Sequence, residues 1–209
     1  MSGREAILRN LNRVRRENVV EDVWSTRRNF DDPFERFATS VVGLKGEILR
    51  AESLDAALDQ LGGLLKDIGA EQVVANDESP LSEVDLAARY EDSNWHVVGR
   101  SDGDLRAFCA VADAGVSGVS AALVETGSLV VESGPGKSRL STLLPPVHVA
   151  LVPESKLTTD LHTWTAARSG DIATNVTVIS GPSKTADIEF TLTLGAHGPK
   201  RLVVILYRD

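Results

Sequence analysis

The 209-residue sequence predicts an α/β protein: a doubly wound, mainly parallel sheet preceded by an N-terminal helical extension. Two observations predict this class. From residue 33 to residue 98, amphipathic helical stripes alternate with short apolar runs over brief connections, the pattern of βαβ units. Near the C-terminus, Val176-Thr177-Val178-Ile179 and Arg201-Leu202-Val203-Val204-Ile205-Leu206-Tyr207 are rich in β-branched residues and bounded by Gly and Pro. Both therefore read as strands buried on two faces.

Ser2 is placed to cap a first helix with the stripe Ile7, Leu8, Leu11 and Val14. So short a helix has to dock, either on its own domain or on a partner chain. Residues 18–32 are weakly periodic and close on the loop signature Asn29-Phe30-Asp31-Asp32-Pro33. Asp32 and Pro33 start the next helix, whose apolar face is Phe34, Phe37, Ala38, Val41 and Val42. Gly43 and Gly46 end it, and Glu47–Arg50 is a short strand. Ser53 then caps a helix over 54–68, Gly69 stops it, and Gln72–Ala75 is a strand. A weaker helix over 83–90 precedes the strand Trp95–Val98.

The second half is strand-rich. Ala107–Ala114 and Val119–Val124 are apolar runs full of small residues, and Gly127–Glu132 and Val147–Val152 are strands. Asp160–Ala167 reads as a short helix with Leu161 and Trp164 turned inward. No repeat or low-complexity linker appears, so residues 1–32 are an N-terminal helix and linker and residues 33–209 one domain.

A chain of this length buries roughly 70% of its unfolded surface and needs no disulfide staple. Hydrophobic content of 42% and charged content of 25% are those of a globular protein. The formal charge of −8 argues against a nucleic-acid footprint. Arg4, Arg9, Arg13, Arg15 and Arg16 form the one basic cluster, read as a solvated helix face. Cys109 is the single cysteine, in the apolar setting of an inert buried thiol, and one thiol cannot hold an iron–sulfur cluster that takes four. The N-terminus lacks an apolar signal core, and no run reaches the roughly 20 apolar residues of a membrane span. A cytoplasmic protein with no membrane partner is the expectation.

Standard motifs fail on spacing. Gly134-Pro135-Gly136-Lys137-Ser138 looks like a phosphate loop, but Val131 stands where the pattern needs a first Gly. Arg139 occupies the third Gly position of a dinucleotide fingerprint. There is no His-Glu-x-x-His pair and no CxxC, and Gly115-Val116-Ser117-Gly118 lacks the spacing of a nucleophile elbow. No metal site and no particular cofactor is indicated.

Four blocks remain: Ala122–Leu129, Arg139–His148, Gly181-Pro182-Ser183-Lys184-Thr185-Ala186-Asp187-Ile188-Glu189, and Gly195-Ala196-His197-Gly198-Pro199. In this order and spacing they resemble the lactate-utilisation protein C family, whose conserved unit is the LUD domain, over about residues 35–207. The resemblance implies a three-layer α/β/α sandwich related to CoA transferases, ribose-5-phosphate isomerase and glucosamine-6-phosphate deaminase. It also implies a role in oxidising L-lactate to pyruvate beside iron–sulfur partner subunits, with this chain as the subunit that carries no cluster. A small carboxylate or phosphate ligand is expected, and a homodimer is allowed.

Beside this accessory binding role stand two alternatives: an enzyme in its own right acting on an activated acyl or sugar-phosphate substrate, with Glu125 and His197 as the candidate catalytic groups, and an assembly or regulatory protein. Glu125 ends an apolar run beside Thr126 and Gly127, and reads either as a general base or as a carboxylate closing a tight turn. His197 lies among turn formers, and an imidazole there is the residue type that suits acid–base work. The expected ligand-binding set is Thr126, Gly127, His148, Gly181, Ser183, Thr185, Asp187, Glu189 and Gly198. Ser183 and Thr185 read as cap and turn hydroxyls of a helical turn that gives way to extended chain. On that backbone, at most one of Asp187 and Glu189 faces the site. His148 alternates with Val147 and Val149, so it faces either the site or solvent.

Overall fold

The computed structural model describes residues 3–14, 26, 28–168, 173–185 and 193–209. The chain runs through α1 (Gly3–Val14), α2 (Pro33–Gly43), β1 (Glu47–Ala51), α3 (Leu54–Asp67) and β2 (Gln72–Ala75). A 3₁₀ turn (Leu81–Glu83), α4 (Leu86–Arg89), β3 (Asn94–Val97), α5 (Leu105–Val111) and β4 (Ala114–Ser117) follow. Then come β5 (Ala121–Leu123), β6 (Ser128–Ser133), α6 (Arg139–Leu143), β7 (Val147–Pro153) and β8 (Leu157–Thr158). The last elements are α7 (Leu161–Ala167), β9 (Asn175–Ile179), β10 (Lys184–Thr185), β11 (Thr193–Leu194) and β12 (Arg201–Tyr207).

Helix starts follow local chemistry. Asp32 Oδ1 accepts the Glu35 N–H at 2.9 Å with Pro33 in the first turn, and Ser53 Oγ accepts the Ala56 N–H at 3.2 Å. Each side chain satisfies one amide that the helix itself leaves unpaired.

Six parallel strands form the main sheet in the order β1-β12-β7-β4-β2-β3. The apolar runs of β7 and β12 are explained by cover on both faces. Val149, Leu151, Val203 and Ile205 pack with Leu58, Leu61 and Leu65 of α3. The alternate residues Ala150, Val152, Val204 and Leu206 pack with Phe37 and Val41 of α2 and with Leu129 and Val131 of β6. The expected layered α/β architecture is present. Part of one flanking layer is a second sheet, β8-β5-β6-β9, which the periodicity did not predict.

Three local readings are corrected. Val176–Ile179 is a strand, but it edges the second sheet and alternates, with Val176 37% and Val178 44% exposed. A β-branched Thr between two Val made an alternating strand look continuously apolar. Leu161 of α7 is exposed rather than inward; only Trp164 packs, beside Ala121, Leu123 and Val130. At Ser183 no helical turn begins: Lys184 and Thr185 are extended and pair antiparallel with Leu194 and Thr193. The paired backbone leaves Ser183 no helix to cap. Among the described residues, no helix is long and apolar enough to cross a membrane.

Candidate functional site

His148 is the second residue of β7 and is flanked in register by Gly115 of β4 and Leu202 of β12. Its side chain projects to the face that also carries Ser117, and the ring is 1% exposed. Nε2 lies 2.9 Å from Ser117 Oγ, while Nδ1 is buried without a hydrogen-bond partner. Burial pushes the imidazole down to about 4, so it is neutral at pH 7.

Ser183 organises the opposite wall. Its N–H donates to Pro199 O at 2.9 Å, its carbonyl accepts the Gly195 N–H at 2.9 Å, and its hydroxyl accepts the His197 N–H at 3.4 Å. One residue thereby ties β10 to the whole 195–199 loop. Gly181, at φ +89°, lets the chain pass α2 closely: a Cβ there would stand 2.7 Å from Leu44 O.

These walls enclose a cavity of about 230 Å³ at the amino ends of β7 and β12. His148, Gly181, Ser183, His197 and Gly198 all line it, although they span fifty residues of sequence. Thr142 and Leu143 of α6, Thr177, Val178 and Ile179 of β9, Ser180, Pro199 and Leu202 complete the lining. Among the described residues the lining carries hydroxyls and two imidazoles but no carboxylate, lysine or arginine. It suits a small molecule with one apolar side and a few hydrogen-bonding atoms.

The remaining candidates lie elsewhere. Glu125, Thr126 and Gly127 occupy the turn between β5 and β6 and do not line this cavity. The Glu125 carboxylate is ion-paired with Arg28, its N–H donates to Thr159 O at 3.0 Å, and its carbonyl faces Arg36. Gly127 is held by packing, because a Cβ would meet Val41 N at 2.6 Å. Thr126 touches the cavity only through a hydroxyl chain. Its Oγ1 is 2.8 Å from Ser128 Oγ, which is 2.7 Å from Ser180 Oγ. Thr185 lies on β10, its backbone paired with Thr193. Asp187 and Glu189 lie outside the described residues.

Sequence reasoning did not single out Ser117, which the β4–β7 register brings to His148, or Thr142 of α6 and Ser180 after β9, which line the same cavity. It also missed a buried polar cluster where the carboxyl ends of β2 and β4 diverge. Asn76, fully buried, accepts the Ser138 N–H at 3.0 Å and the Ser141 hydroxyl at 2.7 Å, and donates to Glu78 Oε1 at 3.2 Å. Burial raises the Glu78 carboxyl, opposed by that Asn76 bond and by Lys137. The signal was available: Asn76-Asp77-Glu78 directly follows a buried strand. No group of three or more metal-ligating side chains converges among the described residues.

Comparison with known proteins adds the family. The LUD domain model matches residues 34–207. Lactate utilization protein C of Halalkalibacterium halodurans is 30% identical over 168 residues, covering 77% of this chain and 71% of that protein. Lactate utilization protein C 1 of Bacillus mycoides is 26% identical over 219 residues, covering 95% and 92%. An uncharacterized protein of Neisseria meningitidis is 44% identical over 96 residues, and there the match spans only 41% of the relative's length. The crystal structure of a DUF162 family protein from Deinococcus radiodurans aligns with a TM-score of 0.55 at 18% identity, covering 84% of this chain and 96% of that one. At that identity the likeness speaks to the fold.

Proposed function

The chain belongs to the LUD domain family, and from that premise we propose that it serves lactate utilisation by holding a small acid of the lactate–pyruvate pair in the His148–Ser183–His197 cavity. The names of its relatives support the pathway. One observation carries the ligand: five candidate residues from distant parts of the chain share one small cavity whose buried imidazole keeps a nitrogen unpartnered. A buried polar atom without a partner is costly unless a ligand supplies one.

In this reading the chain is the subunit without a cluster, acting beside iron–sulfur partners that carry the electrons. Its single cysteine, buried in the Val98–Ala112 cluster, supports that division of labour. The exposed Ile7, Leu8 and Leu11 of α1 are the proposed attachment face. Calorimetric titration of the isolated chain with L-lactate and pyruvate tests the ligand. Binding that disappears in His148→Phe supports the reading, and no heat with either acid in the unaltered chain rejects it. Co-purification from cells tests the partners: deleting residues 3–14 should release iron–sulfur proteins and leave acid binding intact.

A further inference from the structure

A neutral imidazole carries one N–H and one bare nitrogen, so the hydrogen at His148 has two placements. Suppose Nε2–H donates to Ser117 Oγ. The Ser117 hydroxyl hydrogen then lacks an acceptor, because Oγ has no second partner among the described residues, and Nδ1 is an unmet acceptor as well. Suppose instead that Ser117 O–H donates to a bare Nε2. Only Nδ1–H is then left unmet. Both residues are buried, with Ser117 at 0% exposure, so two orphaned groups are worse than one and the second placement wins. The ring of His148 lines the cavity, and its one unsatisfied group is thus a buried donor, Nδ1–H.

That donor selects what it meets. No lysine or arginine lines the cavity among the described residues, so a carboxylate pushed to the inner end would meet no countercharge from them. A carbonyl oxygen needs one donor and no countercharge. A hydroxyl oxygen also accepts, but its own hydrogen then needs a second, matching acceptor among the lining groups. His197, exposed at the mouth, and the Ser183 hydroxyl are left for the charged end.

Resting on the reading that this cavity holds a small acid, we infer that it is built for the 2-oxo form, with His148 Nδ1–H donating to the carbonyl oxygen and Ser117 as the positioning residue that sets the tautomer. A neutral imidazole is an established way to bind and polarise a carbonyl. Burial keeps His148 in that neutral state throughout the physiological range.

Long-range proton–nitrogen NMR on the ¹⁵N-histidine chain reads the tautomer directly, with no variant required. The expected result is a protonated Nδ1 and a bare Nε2 at His148, and pyruvate that binds about fivefold or more tighter than L-lactate. In Ser117→Ala the tautomers should mix and the pyruvate preference should shrink toward unity, a change that mere loosening of the fold would not produce. Nε2 protonation in the unaltered chain overturns the inference whatever binds. So does a protonated Nδ1 with lactate bound as tightly as pyruvate, which spares the proposed function. Binding of neutral hydroxyacetone but of neither acid upholds the carbonyl site and rejects the proposed function. Binding of none of the three overturns both.

Discussion

Ser117 Oγ and His148 Nε2 stand 2.9 Å apart on adjacent parallel strands, β4 and β7, in the buried part of the sheet. They are diagonal neighbours: His148 is level with Gly115, and Ser117 is level with Ala150. Where a Gly115 side chain would stand, the Ser141 carbonyl of α6 fills the space, so Thr142 is carried to the cavity wall. The site depends on this stacking of helix on strand.

His148 makes stability depend on pH in a defined direction. Its folded pKa of about 4 lies below the ordinary 6.5. Between these values the unfolded chain binds a proton that the folded chain refuses, so stability is full above about 6.5 and falls as pH drops toward 4. A shift of this size corresponds to about 3 kcal/mol. Urea denaturation at pH 7.5 and pH 4.5 should show a loss that is smaller by about that amount in His148→Gln. Equal losses in both chains would refute the assignment.

Ligand contacts should divide along the cavity's edge. Ser183→Ala loosens the 195–199 loop and His197→Ala removes a lining group, so each should weaken pyruvate binding by about fivefold to tenfold. Glu125→Gln, outside the lining, should leave the titration unchanged. A large effect of Glu125→Gln alone would move the site to the β5–β6 turn.

Two glycines should respond oppositely to alanine. At Gly115 a Cβ would lie 1.7 Å from the Ser141 carbonyl oxygen, so α6 must shift, and stability should fall by about 1–3 kcal/mol or more. At Gly63, inside α3, a Cβ meets nothing within 4 Å, and alanine should stabilise by about 0.5–1 kcal/mol. Melting temperatures and denaturation midpoints would show the opposite signs.

Cap and core can be ranked against each other. Asp32→Ala should cost about 1 kcal/mol through one lost amide bond at the start of α2. Ile205→Ala, at 0% exposure in the interior strand β12, should cost about 2–5 kcal/mol. Comparable losses in urea would mean that β12 is less tightly packed than its burial implies.

Much of the fold was legible because its causes are local. Asp32-Pro33 and Ser53 announce helix starts through side chains that reach only three residues, and Gln72–Ala75 was bounded correctly by its flanking turn chemistry. Two of the three misreadings share one reason. Val176–Ile179 and the segment after Ser183 owe their conformations to pairing with other strands: β6 for the first and β11 for the second. Local preference cannot tell a buried strand from an alternating edge strand when Thr stands between two Val.

The order of the residues determined on its own the alternating helices and strands between residues 33 and 98, that the chain is α/β, and which polar blocks gather near its end. Tertiary structure alone decided that His148, Ser183 and His197 share a cavity while Glu125 is turned to Arg28, and that Ser117 meets the imidazole. The physical reason is range. Caps, turns and hydrophobic periods act over a few residues of chain, whereas a hydrogen bond across thirty-one residues exists only once parallel register has aligned two strands.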